Sequence, residues 1–445
     1  SRFIVLGSAA YTGPTVVADN SELQTNWVVA TGGVQTPFGA GTNGLGSPVT
    51  LGANSILTFY SYNSPATIAI GSLSGTSASA VLHGESGGTH TVRIGGDNST
   101  AAFSGAIQDD GGALEIVKVG SGTQTFSGAL SYTGPTTVEG GTLILSGTST
   151  GAGLVTVNNG TLQLAGPAGG PPDHGTTVKG DLTINAGGTA RLNQHAQIKE
   201  TSVVTINGGL LDFNGWIDGI GRLDMTGGTY ANTGSGFILL NTNTNALTTN
   251  AASTTATLSG RVSLRADNTF TVAAGSVPDG RDAVISGQIF SDAGGSWGLT
   301  KNGAGTLVLS GSNTFSGPLT VAEGTLSIPG WNNSSTNGPL GNSAAAVVLG
   351  SAGQTGILQY TGGASNTPST LRPISLAAGG VGEVQLVFNS GDRNGNYVHI
   401  NGDRVTGDGG LTVDTRGGSA SARFIVVGSA AYTGPTVVAA NSELQ

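Results

Sequence analysis

The sequence predicts an all-β protein, a parallel β-solenoid (β-helix) built from coils of about twenty residues. Three observations lead to this fold class. Short runs of Val, Ile and Leu alternate with Thr, Ser and Asn, Gly makes up 78 of the 445 residues, and long segments recur along the chain. Alternation with a period of two is typical of strands, and the repeated glycine pairs disfavour helices over the same stretches.

The longest recurring segment is Gly120–Leu145, which returns as Gly303–Ile328, 183 residues later and without a gap. A third copy, Phe3–Leu23, opens the chain at an offset of 121 residues. The copies share an aromatic-x-Gly-Pro turn, and the two longer ones share a later glycine. The predicted repeat and turn residues are Tyr11, Gly13, Pro14, Tyr132, Gly134, Pro135, Gly141, Phe315, Gly317, Pro318 and Gly324. Lys118 and Lys301 precede the two internal copies.

A fourth copy closes the chain, where Arg423–Gln445 repeats Arg2–Gln24 at an offset of 421 residues. Over residues 1–24 and 422–445, only three of 24 positions differ, at 1, 6 and 19. We therefore predict that residues 1–421 form one solenoid unit and that residues 422–445 begin the next copy. The predicted unit junction lies at Ser421, Ala422 and Arg423, and the sequence is expected to be a segment of a longer array.

A shorter rhythm, an aliphatic residue followed by two turn residues and Gly, runs through the middle of the chain. Its leading aliphatics are Val138, Val157, Ile184, Ile206 and Met225, with steps of 19, 27, 22 and 19 residues. We expect these residues to stack from coil to coil. At about twenty residues per coil, a unit would contain about twenty-one coils and be on the order of 100 Å long.

Composition excludes several partners. The formal net charge is −9 with only 16 basic residues, which argues against nucleic acid or an anionic membrane. No apolar run approaches the roughly 18 residues that span a bilayer, so no membrane span is predicted in this segment. Cysteine is absent, so a long β-ladder is expected to stabilise the fold without disulfides.

The repeats carry a family resemblance. Lys118–Gly147 and Lys301–Ile328 resemble the autotransporter-associated β-strand repeat of bacterial secreted passenger domains, and Asn337–Gly363 resembles the segment that usually follows it. The resemblance implies a β-helical extracellular protein of the bacterial cell surface, commonly an adhesin or a surface filament.

From these observations we predict a structural repeat unit of an extracellular filament whose units stack end to end, with no enzymatic activity, cofactor or metal. Its partner would be further copies of itself, end to end or in lateral bundles, and a host-surface or matrix receptor is a second candidate. The alternative is an autotransporter passenger adhesin that acts as a monomer, which the number of units in the full-length gene would distinguish. A β-helical polysaccharide-cleaving enzyme is less favoured; its paired carboxylates would be Asp109 with Asp110, or Asp279 with Asp282.

Other motif matches are interpreted as turns. Residues 84–88 fit G-x-S-x-G beside His83 and His90, residues 39–44 fit G-x-G-x-x-G, and residues 392–396 imitate the start of a calcium loop. None has the strand–helix context or the full ligand set that its chemistry requires. The five histidines, His83, His90, His174, His195 and His399, are predicted to be exposed, and Trp27, Trp216, Trp297 and Trp331 are predicted to fill coil corners.

Overall fold

The computed structural model describes residues 1–26, 34–41, 45–60, 66–76, 81–85, 88–169, 175–241, 245–292, 294–362, 371–387, 397–416, 423–440 and 442–445. The chain forms two compact units, Ser1–Ile220 and Gly221–Gln445. Strands dominate both units, and the helical content of the described residues is one 3-10 turn, Gly402–Arg404. No helix in these ranges has the length and apolar character needed to cross a bilayer.

In the first unit, neighbouring strands of each sheet come from successive coils and run parallel. The first sheet contains Arg2–Leu6, Glu22–Asn26, Ile56–Tyr60, Val81–Glu85 and Ala106–Asp110. A short sheet contains Thr15–Val17, Val49–Leu51 and Leu73–Ser74. The other two sheets of the unit contain Ala66–Ile70, Thr89–Ile94, Ala113–Lys118, Thr136–Val138, Val155–Val157, Leu182–Asn185 and Val203–Asn207, and Ala101–Phe103, Thr123–Phe126, Thr142–Leu145, Gly160–Leu164, Gly188–Leu192 and Leu210–Asp212. Asp218–Ile220 ends the unit.

The second unit repeats this construction. One sheet contains Arg222–Met225, Leu247–Thr249, Asn268–Val272, Leu299–Asn302, Leu319–Val321, Val347–Leu349, Ile374–Leu376, Val405–Gly407 and Ala431–Tyr432. Another contains Thr229–Ala231, Ala256–Leu258, Ala283–Ile285, Thr306–Leu309, Gly324–Ile328, Thr355–Tyr360, Val381–Val387, Gly410–Arg416 and Thr436–Val438. Two shorter sheets contain Phe237–Leu240, Arg261–Leu264 and Ile289–Ser291, and Tyr397–Asn401, Arg423–Val427 and Glu443–Leu444.

The aliphatic rhythm of the sequence forms the core. Val138 is in register with Val157, Val157 with Ile184, and Ile184 with Ile206. All four side chains are fully buried. Alternate residues of a strand point to opposite faces, so the intervening threonines point away from the core. The predicted all-β parallel β-solenoid is confirmed.

Coil length varies more than the sequence pattern indicates. Within the repeats a coil takes 19 residues, as from Thr136 to its register partner Val155. Near the start of the chain it takes 34, from Glu22 to Ile56. The additional residues lie in loops at the coil corners, where insertion leaves the stacked strands in register. Twenty-residue coils therefore describe the repeats better than the rest of the chain.

Candidate functional site: the junction between repeat units

The glycine of the aromatic-x-Gly-Pro turn lies against the backbone of the preceding coil. A Cβ added to Gly134 would lie 2.2 Å from the carbonyl oxygen of Leu114, and one added to Gly434 would lie 2.2 Å from that of Gly409. At Gly317 the nearest atom, a backbone carbon of Trp297, would be 2.3 Å away. No side chain fits at such distances, so only glycine allows the coils to approach this closely.

Gly13 occupies the same place in the first copy, yet no atom lies within 4 Å of a Cβ built there. The packing requirement that explains Gly134, Gly317 and Gly434 is therefore missing at Gly13. A glycine at this position is accounted for when another coil stacks in front of the first one.

The proline after each of these glycines also contacts the preceding coil. Its carbonyl oxygen accepts a hydrogen bond from a strand N–H one coil earlier. The pairs are Ile116 N to Pro135 O at 3.0 Å, Leu299 N to Pro318 O at 2.8 Å and Leu411 N to Pro435 O at 2.9 Å. The turn motif therefore joins one coil to the coil before it.

The aromatic residue of the motif comes with a matched partner four residues later. The hydroxyl groups of Tyr132 and Thr136 are 2.6 Å apart and buried, and burial raises the pKa of Tyr132 to about 12. In the second internal copy these positions hold Phe315 and Leu319, both fully buried. The chain therefore uses either a hydrogen-bonded polar pair or an apolar pair at this site, and in neither is a buried hydroxyl left unpaired.

The lysines that precede the two internal copies brace the next corner. Lys118 Nζ donates to the carbonyl oxygens of Val119 at 2.6 Å, and of Gly120 and Gly140 at 3.2 Å. Lys301 Nζ donates to the carbonyl oxygens of Gly303 and of Glu323, the latter at 2.8 Å. Burial lowers the pKa of each lysine to about 8.

The later glycines of the motif make room for these amino groups. Gly141 and Gly324 have φ values of 61° and 68°. A Cβ on either would lie within 2.8 Å of the lysine Nζ. The sequence placed Lys118 and Lys301 at the head of each copy but gave no sign of this bracing role.

The copies at the two ends have the same local structure. Arg2 pairs in register with Glu22 and Arg423 with Glu443. The corresponding ion pairs have Nε–Oε distances of 3.2 Å and 2.8 Å. Of the predicted junction residues, Arg423 is therefore placed in a strand, while Ser421 and Ala422 lie outside the described residues.

The two copies differ in which of their faces is covered. Phe3 is 67% exposed, whereas Phe424, at the same position of the closing copy, is 0% exposed. The opposite holds for Val17 and Val438, which are 5% and 45% exposed. The first copy is covered only by the coil that follows it, and the closing copy only by the coil that precedes it. Together the two copies show both faces of a junction.

The uncovered face of the first copy opens into an apolar cavity of about 610 Å³. Its lining includes Phe3, Val5, Tyr11, Leu23 and Phe38. Arg2–Leu6 is the outermost strand of its sheet. An edge strand beside an open apolar coil is a site at which another strand can be added.

In the closing copy the same face rests on a built seat. Tyr397–Asn401 pairs along Arg423–Val427, which places Val398 beside Phe424. The Trp331 ring stacks on Phe424 with centroids 6.4 Å apart and an interplanar angle of 15°. Trp331 Nε1 donates to the carbonyl oxygen of Arg372 at 3.1 Å, which fixes the indole. We call Trp331 together with Tyr397–Asn401 the aromatic seat.

The carboxylates considered for an enzyme hold turns in place. Asp109 accepts hydrogen bonds from Leu114 N at 2.8 Å, and from Thr133 N and Oγ1 at 2.9 and 2.6 Å. Asp282 accepts from the N–H groups of Gly275 at 2.7 Å and Thr306 at 2.8 Å.

Their sequence neighbours make ion pairs at the surface. Asp110 lies 3.1 Å from Nδ1 of His83, and Asp279 lies 3.6 Å from Nε of Arg281. All four carboxylates therefore have partners within the coils. In the described residues, no group of three or more His, Asp or Glu side chains is placed to hold a metal ion.

The prediction that the histidines are exposed is wrong for His83 and His90, which are both buried. They lie on strands Val81–Glu85 and Thr89–Ile94 at positions covered by neighbouring coils. His83 Nε2 is 2.8 Å from the hydroxyl of Thr58 on the adjacent strand. Strand alternation, which a Gly-rich context obscures in the sequence, decides this burial.

Other predicted sites are placed only in part. His195 packs edge-on against Trp216 with ring centroids 4.7 Å apart, and Trp331 is buried in the seat. Trp297 is half-buried, with its Nε1 donating to the carbonyl oxygen of Asp292 at 3.3 Å. The remaining positions, Trp27, residues 42–44, Ser86, Gly87, His174 and residues 392–396, lie outside the described residues.

Comparison with known families identifies the repeats. The profile of the passenger-associated-transport-repeat matches residues 116–145, 140–164 and 299–328. The first and third matches contain the two internal copies of the aromatic-x-Gly-Pro segment, and the second extends the first by one coil. Neither curated proteins nor solved structures gave a significant match. The chain is thus a β-solenoid that carries repeats of the passenger-associated-transport-repeat family.

Proposed function

We propose that this chain is a structural unit of a secreted bacterial surface filament, in which successive copies of the unit continue one β-solenoid. The passenger-type repeats support export to the cell surface or beyond it. The observation that carries the proposal is the terminal segment seen twice, with Phe3 exposed and Phe424 buried at equivalent positions. A unit that ends with the first coil of the next copy provides the surface on which that copy continues.

Glycine usage supports the same continuation. Gly434 needs to be glycine because the preceding coil approaches it, whereas nothing in the chain approaches Gly13. If another unit precedes the first coil, Gly13 acquires the contact that Gly434 already has. The pairing of Arg423–Val427 with Tyr397–Asn401 then gives the register of every junction in the array.

The observed coils revise the expected axial repeat. With coils between 19 and 34 residues, about 25 residues per coil gives about 17 coils in a period of 421 residues. At about 4.8 Å between coils, the axial period is about 80 Å, shorter than twenty-residue coils would give.

Electron microscopy of the tandem protein tests the proposal. We expect thin unbranched fibres whose averaged images repeat axially at about 80 Å. The matched control is a tandem protein in which Trp331→Ala is introduced in every unit, which removes the seat at each junction and is expected to produce breaks at the same spacing. Monodisperse globular particles from the tandem protein would contradict a filament.

A further inference from the structure

The 445-residue chain contains two nearly identical segments and only one described seat for them. Arg423–Gln445 occupies the aromatic seat, with Phe424 against Trp331. Arg2–Gln24 has the same sequence except at positions 6 and 19. Its Phe3 is exposed beside an open apolar cavity. The first segment therefore has the side chains that fit the seat and is not bound to one.

The differences between the segments lie away from the seat. Leu6 and Val427 are both exposed, as are Asp19 and Ala440. The buried anchor is Phe in both copies, and the ion pair within the coil, Arg with Glu, is present in both. Replacing one segment by the other would therefore leave the contacts of the seat unchanged.

The seat is also shaped independently of the segment it holds. Arg372 is fully buried, its Nε donates to the carbonyl oxygen of Ala345 at 2.8 Å, and its own carbonyl holds the Trp331 indole. Arg404 Nη1 donates to Ser334 Oγ and to the Leu371 carbonyl oxygen, both at 3.1 Å. These bonds involve no residue of the closing copy, so the indole and its loop remain supported when that copy leaves.

We infer that molecules of this chain link head to tail by segment exchange, in which Arg2–Gln24 of one molecule replaces Arg423–Gln445 in the aromatic seat of another. Strand Arg2–Leu6 then pairs along Tyr397–Asn401 of the second molecule, and Phe3 stacks on its Trp331. Exchange of an identical element between copies is a low-cost route to association, because the same contacts form in both states. The repeating contact is heterologous, so it propagates a chain of molecules instead of closing a dimer.

Sedimentation velocity of the full chain over a concentration series tests the inference. Wild-type protein is expected to form head-to-tail oligomers as concentration rises. Phe3→Ala is expected to weaken association at least ten-fold, because the incoming anchor is lost. Phe424→Ala is expected to strengthen it at least ten-fold, because the resident competitor is weakened. A monomeric wild type at the highest concentration, or the same direction of change in both variants, would overturn the inference.

Disulfide trapping tests the register. The chain has no cysteine, and Ile425 pairs with His399, so Ile4 is expected to take that partner in a second molecule. Adjacent parallel strands lie within the Cα separation that a disulfide spans. Ile4→Cys combined with His399→Cys should give covalent multimers under oxidising conditions, whereas Ile4→Cys with Thr300→Cys should not. Equal cross-linking of the two double variants would refute the register.

These outcomes are separate from those of the filament proposal. Exchange takes place between single 445-residue chains, whereas the filament is tested on units joined in one polypeptide. A tandem protein with the expected axial period and single chains that remain monomeric would refute exchange and leave the filament supported. Exchanging chains and a globular tandem protein would do the reverse.

Discussion

The paired positions Tyr132–Thr136 and Phe315–Leu319 give the sharpest test of how the coils are stabilised. Tyr132→Phe removes one hydroxyl and leaves the buried Thr136 hydroxyl without its 2.6 Å partner. A buried hydroxyl that loses its partner costs about 1–3 kcal/mol. Adding Thr136→Leu reproduces the pair found at Phe315 and Leu319. Because both polar groups are then gone, we expect the double variant to recover most of the loss.

The reverse exchange provides a matched control in the other copy. Phe315→Tyr places a hydroxyl against Leu319 in a fully buried site and should cost about 1–3 kcal/mol. Phe315→Tyr with Leu319→Thr should restore the stability. In both copies the coupling free energy is expected to lie between about 0.5 and 3 kcal/mol, which is the range for contacting residues.

The assay is native-state hydrogen exchange of the amides in the affected coil, supported by urea unfolding. Exchange is preferred because a solenoid can open one coil without unfolding the others. The amides of Thr136–Val138 report the first cycle and those of Leu319–Val321 the second. Additive single effects, with no recovery in either double variant, would refute the idea that the chain uses these residues as matched pairs.

Gly134→Ala is expected to lower the unfolding free energy of its coil by about 1–3 kcal/mol, since the new methyl group would overlap backbone of the preceding coil. Gly13→Ala should leave the urea midpoint unchanged, and equal effects would contradict the close-approach explanation. Burial lowers the pKa of Lys301 from 10.5 to about 8, so the unfolded state binds its proton more tightly and stability should rise between pH 8 and 10.5. Lys301→Met should reduce that rise in urea titrations, and parallel pH profiles would argue against it. Burial raises the pKa of Asp218 from 3.8 to about 8 against three backbone hydrogen bonds, so its contribution to stability is present below pH 3.8 and is lost as the pH rises to about 8. Asp218→Asn should flatten the thermal midpoint over that range, and an unchanged slope would count against the assignment.

Much of the coil construction could be predicted from the sequence because its signals are local. The stacking of Val138, Val157, Ile184 and Ile206 follows from strand alternation and from glycine turns at a nearly constant spacing. The turn motif was visible because close approach between coils excludes every side chain at Gly134. Patterns of this kind depend on neighbours a few residues away, so the sequence alone determined the fold class and the repeats.

The tertiary structure decided which residues meet across distances of many residues. Lys118 reaches the carbonyl of Gly140 one coil later, and His83 is buried beside Thr58, although neither contact has a local signal. Most telling are Phe3 and Phe424, which have identical sequence neighbours from position 2 to 5 and from 423 to 426 but opposite exposure. Burial depends on the coil that stacks against a residue, and that coil is brought there by long-range strand pairing. The sequence by itself therefore determined that the segment repeats, and only the tertiary structure decided which face of each copy is left to bind another.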